Sequence, residues 1–172
     1  MALHGHALLI NYINDIDCKG KTIIEIGSVR EDLEGQNSTN QFTKVCMERD
    51  MNFISVDMDE QCSENARQVF KRNNFNNGQV YNSKGEDYIK TLSSFDYIYL
   101  DGYDYEHGLH SQERQDRYLE NMGTVINNED CWNGHLSMCE HLNKIATENS
   151  IICFDDIISE DIGKGVKAIP FL

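Results

Sequence analysis

An apolar, β-branched run that stops at an acidic residue and a glycine limits what this chain can fold into more than any other stretch: Lys21-Thr22-Ile23-Ile24-Glu25-Ile26-Gly27-Ser28. Such a run predicts a buried central strand that ends in a tight turn. The pattern then returns four times. Asn52 to Val56 predicts a second strand ending in Asp57, and Gln79 to Tyr81 a short third strand leading to Gly85-Glu86-Asp87. Phe95 to Leu100 predicts a fourth strand that delivers Asp101-Gly102, and Ser150 to Phe154 a fifth that ends in Asp155-Asp156. One glycine beside one acid is a weak signal. Five strands that each end in small or acidic residues point to a single sheet edge where strand ends open into a crevice.

Helical spacing fills the intervals between strands. Leu9, Tyr12, Ile13 and Ile16 share a face before Gly20 breaks the pattern. Phe42, Val45, Cys46 and Arg49 share another, with Ser38 or Thr39 as cap, and Ser63 is the cap expected for a helix bearing Ala66, Val69 and Phe70. Gln112 to Met122 predicts a helix ended by Gly123. Asn127-Asn128-Glu129-Asp130 then caps a long helix with Trp132, Leu136, Cys139, Leu142 and Ala146 on its apolar face. Strands alternating with helices predict an α/β fold: a mostly parallel, twisted sheet with helices on both faces.

At 172 residues the chain fits one domain, residues 1–172, and needs no disulfide or metal staple to bury a core. It opens with an N-terminal helix within 1–20, and the rest divides into halves at 21–100 and 101–172. With 29 Asp and Glu against 15 Lys and Arg, the net charge of −14 opposes a phosphate backbone, so no nucleic acid is expected as partner. Cys18, Cys46, Cys62, Cys131, Cys139 and Cys153 form no CxxC pair and read as reduced core thiols of a cytoplasmic protein. Ala7-Leu8-Leu9-Ile10 is too short for a signal or spanning helix and follows no basic segment, which predicts a soluble, unexported chain without membrane contact. His4 and His6 are assigned no role, and Cys131 and His135, one helical turn apart without a second pair, are expected to pack.

The loops carry the chemistry. Ser28 to Asn37, with Arg30, Glu31, Asp32, Glu34 and Gly35, is a long polar connection. Thirty residues separate Gly27 from Asp57, against roughly 20 between the glycine turn and the ribose acid of a dinucleotide fold, and this loop accounts for the excess. Asp57 at the end of strand two can accept hydrogen bonds from both ribose hydroxyls. Asp101-Gly102-Tyr103-Asp104-Tyr105-Glu106-His107-Gly108-Leu109-His110-Ser111 places two histidines, two aspartates and two tyrosines in one strand-to-helix loop, a composition expected of a substrate pocket.

Glu25-x-Gly27, Asp57, Gly85-Glu86-Asp87 and Asp101, each after its own strand, resemble the pattern of class I S-adenosylmethionine-dependent methyltransferases over about residues 21 to 157. The resemblance implies a Rossmann-like methyltransferase fold whose cofactor half is 21–100 and whose substrate half is 101–172. It implies S-adenosyl-L-methionine held by Glu25, Gly27, Ser28, Asp57, Glu86 and Asp87. Val29 and Glu31 stand where the family often has further glycines, with Gly35 to supply flexibility. The family normally adds two more strands. Their absence here predicts an open sheet edge that a partner chain, as in a homodimer, would cover. The Asp101 loop resembles the Asp-Gly-x-His-x-Tyr loop of small-molecule O-methyltransferases without the family's histidine, which leaves the catalytic base open among Asp101, His107 and His110. The acceptor implied is a hydroxyl of a small, sugar-like molecule. Catechol-type members carry an acid after strand four and Asp-Asn after strand five, so Asp101, Asp155 and Asp156 are candidate Mg2+ ligands. Asp104 stands where those enzymes have lysine, and the competing reading has Asp155 and Asp156 capping the next turn. Two other functions are an NAD-dependent oxidoreductase, which should show G-x-G-x-x-G, and a non-catalytic Rossmann-like binding module.

Overall fold

A computed structural model of the chain describes residues 4–30, 37–159 and 161–172. Glu31 and Gly35, assigned above to the loop after the first strand, lie outside the described residues. Strands β1 (Thr22–Ile26), β2 (Asn52–Asp57), β3 (Gly78–Asn82), β4 (Tyr97–Leu100) and β5 (Ile151–Phe154) form one parallel sheet in the order β3-β2-β1-β4-β5. The chain fills one side of β1 first and then crosses to the other, so the order reverses between β1 and β4. That reversal is where a doubly wound sheet opens a crevice. The five strands expected from the sequence make up this sheet, all of them parallel.

Register explains the burial of β1 on both faces. Ile23 and Glu25 lie beside Phe53 and Ser55 of β2 and Tyr97 and Tyr99 of β4, while Ile24 and Ile26 lie beside Ile54, Val56, Ile98 and Leu100. The first set packs against α1 (Gly5–Asn14), α2 (Ser38–Arg49) and α3 (Glu60–Arg72) through Leu9, Ile13, Phe42, Val45, Val69 and Phe70. The second meets α4 (Gly85–Ile89) and α6 (Asn128–Ile145) through Ile89, Met138, Cys139 and Leu142. Side-chain alternation along each strand thus assigns one helical layer to each face.

Several local expectations give way to tertiary partners. His6, assigned no role above, lies inside α1; it is 3% exposed, edge-on to Phe42 and Tyr99, and its Nε2 sits 3.0 Å from Gln41 Nε2. Asn37, rather than Ser38 or Thr39, caps α2 by accepting from the Asn40 amide. Asp59, rather than Ser63, caps α3 by accepting from Gln61 and Cys62. The buried face of α6 is Cys131, His135, Met138, Cys139 and Leu142, rotated from the one expected, and Ala146 is an exposed C-cap. Cys131 and His135 do pack. His135 Nδ1 lies 2.8 Å from the Cys131 carbonyl, and burial lowers the imidazole to about 4.

After β5 the chain forms a two-stranded antiparallel hairpin, β6 (Ile157–Ser159) and β7 (Ile162–Gly163), separate from the main sheet. Among the described residues β3 and β5 are therefore the edges of that sheet. The six cysteines are free thiols, five of them buried, and no described helix is long and apolar enough to cross a membrane.

Candidate functional site

Gly27 closes β1 with φ +98°, and a Cβ there would stand 2.5 Å from the Asp101 carbonyl oxygen. Only glycine permits that backbone and that approach of the β1 turn to the end of β4. The turn forms the floor of a cleft with about 740 Å3 of empty space, open solvent at its mouth included. Ile26, Gly27 and Ser28 from β1, Val56 to Asp59 from β2, Gly85 and Glu86 from α4, and Asp101 to Asp104 from β4 line it. Arg30 and one face of α5 (Gln112–Met122), Arg114, Tyr118, Asn121 and Met122, complete the wall.

Asp57 lines this cleft while joining two backbone segments. Its Oδ2 accepts from the Ser28 amide at 2.8 Å and its Oδ1 from the Asp59 amide at 2.8 Å. Burial raises the carboxyl above its ordinary value, and those two hydrogen bonds oppose the rise. Glu25, expected to touch the cofactor, instead points into the opposite layer. It is fully buried, with Ser38 at 2.6 Å and Thr39 and Ser55 at 2.7 Å donating their hydroxyls to it. Strand alternation is the reason: Gly27 and Glu25 are two apart, but the chain turns after Ile26, so only the glycine reaches the edge. Burial raises the Glu25 carboxyl to about 7, against the pull of the three hydroxyls.

Glu86 lines the cleft and accepts from the Tyr103 hydroxyl. Asp87 does not line it; it is exposed and pairs with Lys90, one turn along α4. Tyr103 holds a left-handed backbone, φ 52°, a costly conformation at the cleft wall. Asp104 is 7% exposed and is clamped between Arg30 at 3.3 Å and Arg114 at 2.5 Å. Burial pushes its carboxyl up, but the two guanidiniums bring it below the usual carboxylate range. Arg117 and Asn121 bind Asp59 in the same way. These contacts set α5 across the cleft, an arrangement absent from the expectations above. The i, i+4 spacing of Arg114 and Tyr118 carried the signal that they share a face.

Of the three candidate bases, only Asp101 lines the cleft. His107 and His110 lie outside it, their ring centroids 4.1 Å apart, with His110 Nε2 3.0 Å from the Tyr105 carbonyl oxygen and His107 Nδ1 accepting from the Leu109 amide. Gly108, between the two histidines, has φ +77°. Asp101, Asp155 and Asp156 do converge, with one oxygen of each within 4.8 Å of the others. The positive charge that such a cluster needs is already there. Lys164, 3% exposed, bonds Asp101 Oδ1 and lies 3.1 Å from Asp156 Oδ2, so the donor set does not fit a resident Mg2+. Asp155 accepts from the Gly5 amide at 2.9 Å. Burial raises the Asp101 carboxyl to about 6, with Lys164 pulling it down. A single lysine between two glycines, near the end of the sequence, gave no hint of this role.

Three features bear on what the cleft can hold. Five carboxylates line the cleft against two guanidiniums, and both guanidiniums are engaged with Asp104 or solvent. An ionised carboxylate has about four lone-pair sites, of which backbone amides use two at Asp57. Tyr118 is 4% exposed, and its hydroxyl has no hydrogen-bond partner among the described residues.

No family model matches the chain, and no curated protein matches it in sequence. Solved structures do match in shape. A candidate rRNA methylase from Clostridium thermocellum superposes with a TM-score of 0.62 at 10% identity, covering 99% of this chain and 82% of its own. Cofactor-bound Rv0187 from MTB gives 0.54 at 16% identity, over 95% of this chain and 58% of that one. A methyltransferase homolog from Pyrococcus horikoshii gives 0.50 at 15% identity, and this chain spans 40% of its length. The likeness establishes the architecture, a Rossmann-like methyltransferase fold.

Proposed function

We propose that this protein transfers a methyl group from S-adenosylmethionine to a hydroxyl of a small acceptor. The observation that carries the reading is the cleft itself: Gly27, Asp57, Glu86 and Asp101, from four successive strand ends, line one acidic pocket at the switch point of the sheet. When bound, the cofactor supplies a methyl on a positively charged sulfur, which leaves as a neutral thioether after in-line attack. Asp57 holds the ribose diol with the two acceptor sites that the Ser28 and Asp59 amides leave free. Ser28 and Gly27 bring the backbone close to the amino-acid portion, and Glu86 lies toward the base. The surplus of carboxylates favours a cationic ligand and disfavours one with an extra phosphate. Alignment of the acceptor oxygen is the main contribution of the protein. Asp101, inside the cleft, is better placed than either histidine to receive the hydroxyl proton.

A nucleic-acid acceptor is the second reading, prompted by the Clostridium protein described as an rRNA methylase. The net charge of −14 opposes it. An NAD-dependent reaction lacks its glycine fingerprint, since Gly27 is followed by Ser28, Val29, Arg30 and Glu31.

Titration calorimetry separates these readings. S-adenosylmethionine or S-adenosylhomocysteine should bind, and Asp57→Ala should weaken binding by about 1.5–3 kcal/mol, the contribution of hydrogen bonds to a charged group. Heat from NAD and none from either sulfur nucleoside would transfer the cleft to the oxidoreductase reading. Labelled RNA that binds at physiological salt would replace the small acceptor.

A further inference from the structure

Lys164 is buried at a sheet edge crowded with carboxylates, and the backbone around it is built to bring it there. Asp156, φ 49°, and Gly163, φ +120°, both hold left-handed conformations. A Cβ on residue 163 would stand 2.2 Å from the Asp156 carbonyl oxygen, so the β6–β7 hairpin closes only over a glycine. Trp132 Nε1 donates to the Gly163 carbonyl at 2.9 Å, and the Lys164 amide donates to the Asp156 carbonyl at 3.2 Å. The ammonium then faces three acceptors: Asp101 Oδ1, Asp156 Oδ2 and the Asp101 carbonyl oxygen at 3.5 Å. Two of these are hydrogen bonds to Asp101 and the third is an ion pair with Asp156.

We propose that Lys164 is the built-in cation of the Asp101–Asp155–Asp156 cluster, standing where a divalent ion would otherwise bind. The lysine holds the Asp101 carboxylate in place at the cleft without an exchangeable metal. Removing its side chain leaves three converging carboxylates around an empty volume, a donor set suited to a hard cation. The wild-type chain therefore binds no Mg2+ or Mn2+ at this edge, whereas a variant lacking the ammonium acquires such a site. The inference concerns what fills the cluster and goes beyond the methyl-transfer reading. It is read by cation binding and melting, not by turnover, so failure of one does not carry over to the other.

The test uses Mn2+ as probe, followed by electron paramagnetic resonance and calorimetry, with the full chain and Lys164→Ala. The parent should leave the Mn2+ spectrum unchanged up to about 1 mM, the weak end of protein cation sites. Lys164→Ala should bind Mn2+ at least tenfold more tightly than the parent, and Mg2+ should raise its melting temperature. Adding Asp101→Asn should abolish both effects. If Lys164→Ala folds only when Mn2+ or Mg2+ is present, that also supports the proposal, and Lys164→Ala with Asp101→Asn should then fold without either. Parent binding of Mn2+ that is lost on Asp101→Asn would overturn it. So would a Lys164→Ala variant that melts with the parent and binds no cation, or one that stays unfolded with cation and with Asp101→Asn alike.

Discussion

At the scale of single residues, Glu25 shows how one carboxylate can serve the fold while its neighbours serve the cleft. Three hydroxyls from α2 and β2 converge on it, and the position across β1 gives it Ser55 on one side and Tyr99 on the other. Its carboxyl is raised from 4.5 to about 7 by burial, with the hydroxyls opposing. Between these values the folded chain holds a proton that the unfolded chain has released. Stability from this group is therefore present at acidic pH and lost as pH rises through the window. At about 1.4 kcal/mol per pH unit, the loss is on the order of 3 kcal/mol. Glu25→Gln should remove that slope. Denaturant unfolding at several pH values between 4.5 and 7.5 should show the stability difference between parent and variant moving in favour of the variant as pH rises. Parallel curves would refute the assignment. The reason Ser38 and Thr39 were read as helix caps is also visible here: a hydroxyl at a helix start is a local signal, and the sequence does not reveal a buried acid thirteen residues earlier that competes for it.

At the scale of elements, strands were legible and helix faces less so. The apolar runs placed all five strands of the sheet within about two residues; β1 and β4, buried on both faces, carry the least interrupted apolar pattern, while the edge strand β3 is largely exposed and was marked by its flanking turn residues. Helix α5 was read at its observed limits, because Ser111 and Gly123 cap it with side-chain and left-handed geometry that depend on nothing distant. What α5 lies against was hidden. Only Tyr118 on it is buried, and its other anchors include the ion pairs of Arg114 with Asp104, ten residues earlier, and of Arg117 with Asp59, fifty-eight residues earlier. The histidines of the neighbouring loop drew attention through composition, yet neither lines the cleft. A helix held mainly by ion pairs opens independently of the core. Arg114→Gln with Arg117→Gln should speed amide exchange across residues 112–122 at least tenfold, about 1.4 kcal/mol of local opening, while the melting temperature changes little. Equal loss of protection in the β1 and β4 amides would show that α5 is instead part of the cooperative core.

For the whole molecule, a charge of −14 on 172 residues makes self-repulsion a global term. At 10 mM salt the screening length is about 30 Å, longer than the radius of a chain this size, and at 150 mM it is about 8 Å. Calorimetric melting should therefore rise by a few degrees over that range, even as α5 exchange quickens because its ion pairs are screened. A melting temperature that falls would mean that the pairs around Asp59, Asp104 and Asp101 outweigh the repulsion. The join between α1 and β5 has a different consequence, one of timing. The Gly5 amide is held by Asp155, and Cys153 Sγ donates to the Gly5 carbonyl, so the start of α1 is fixed by residues some 150 positions later. A ribosome adding about 5–20 residues per second reaches them roughly 8 to 30 seconds after it has made Gly5. For that interval the nascent α1 carries Leu9 and Ile13 without β5, the strand of the main sheet that comes latest in the chain and whose end holds the start of α1.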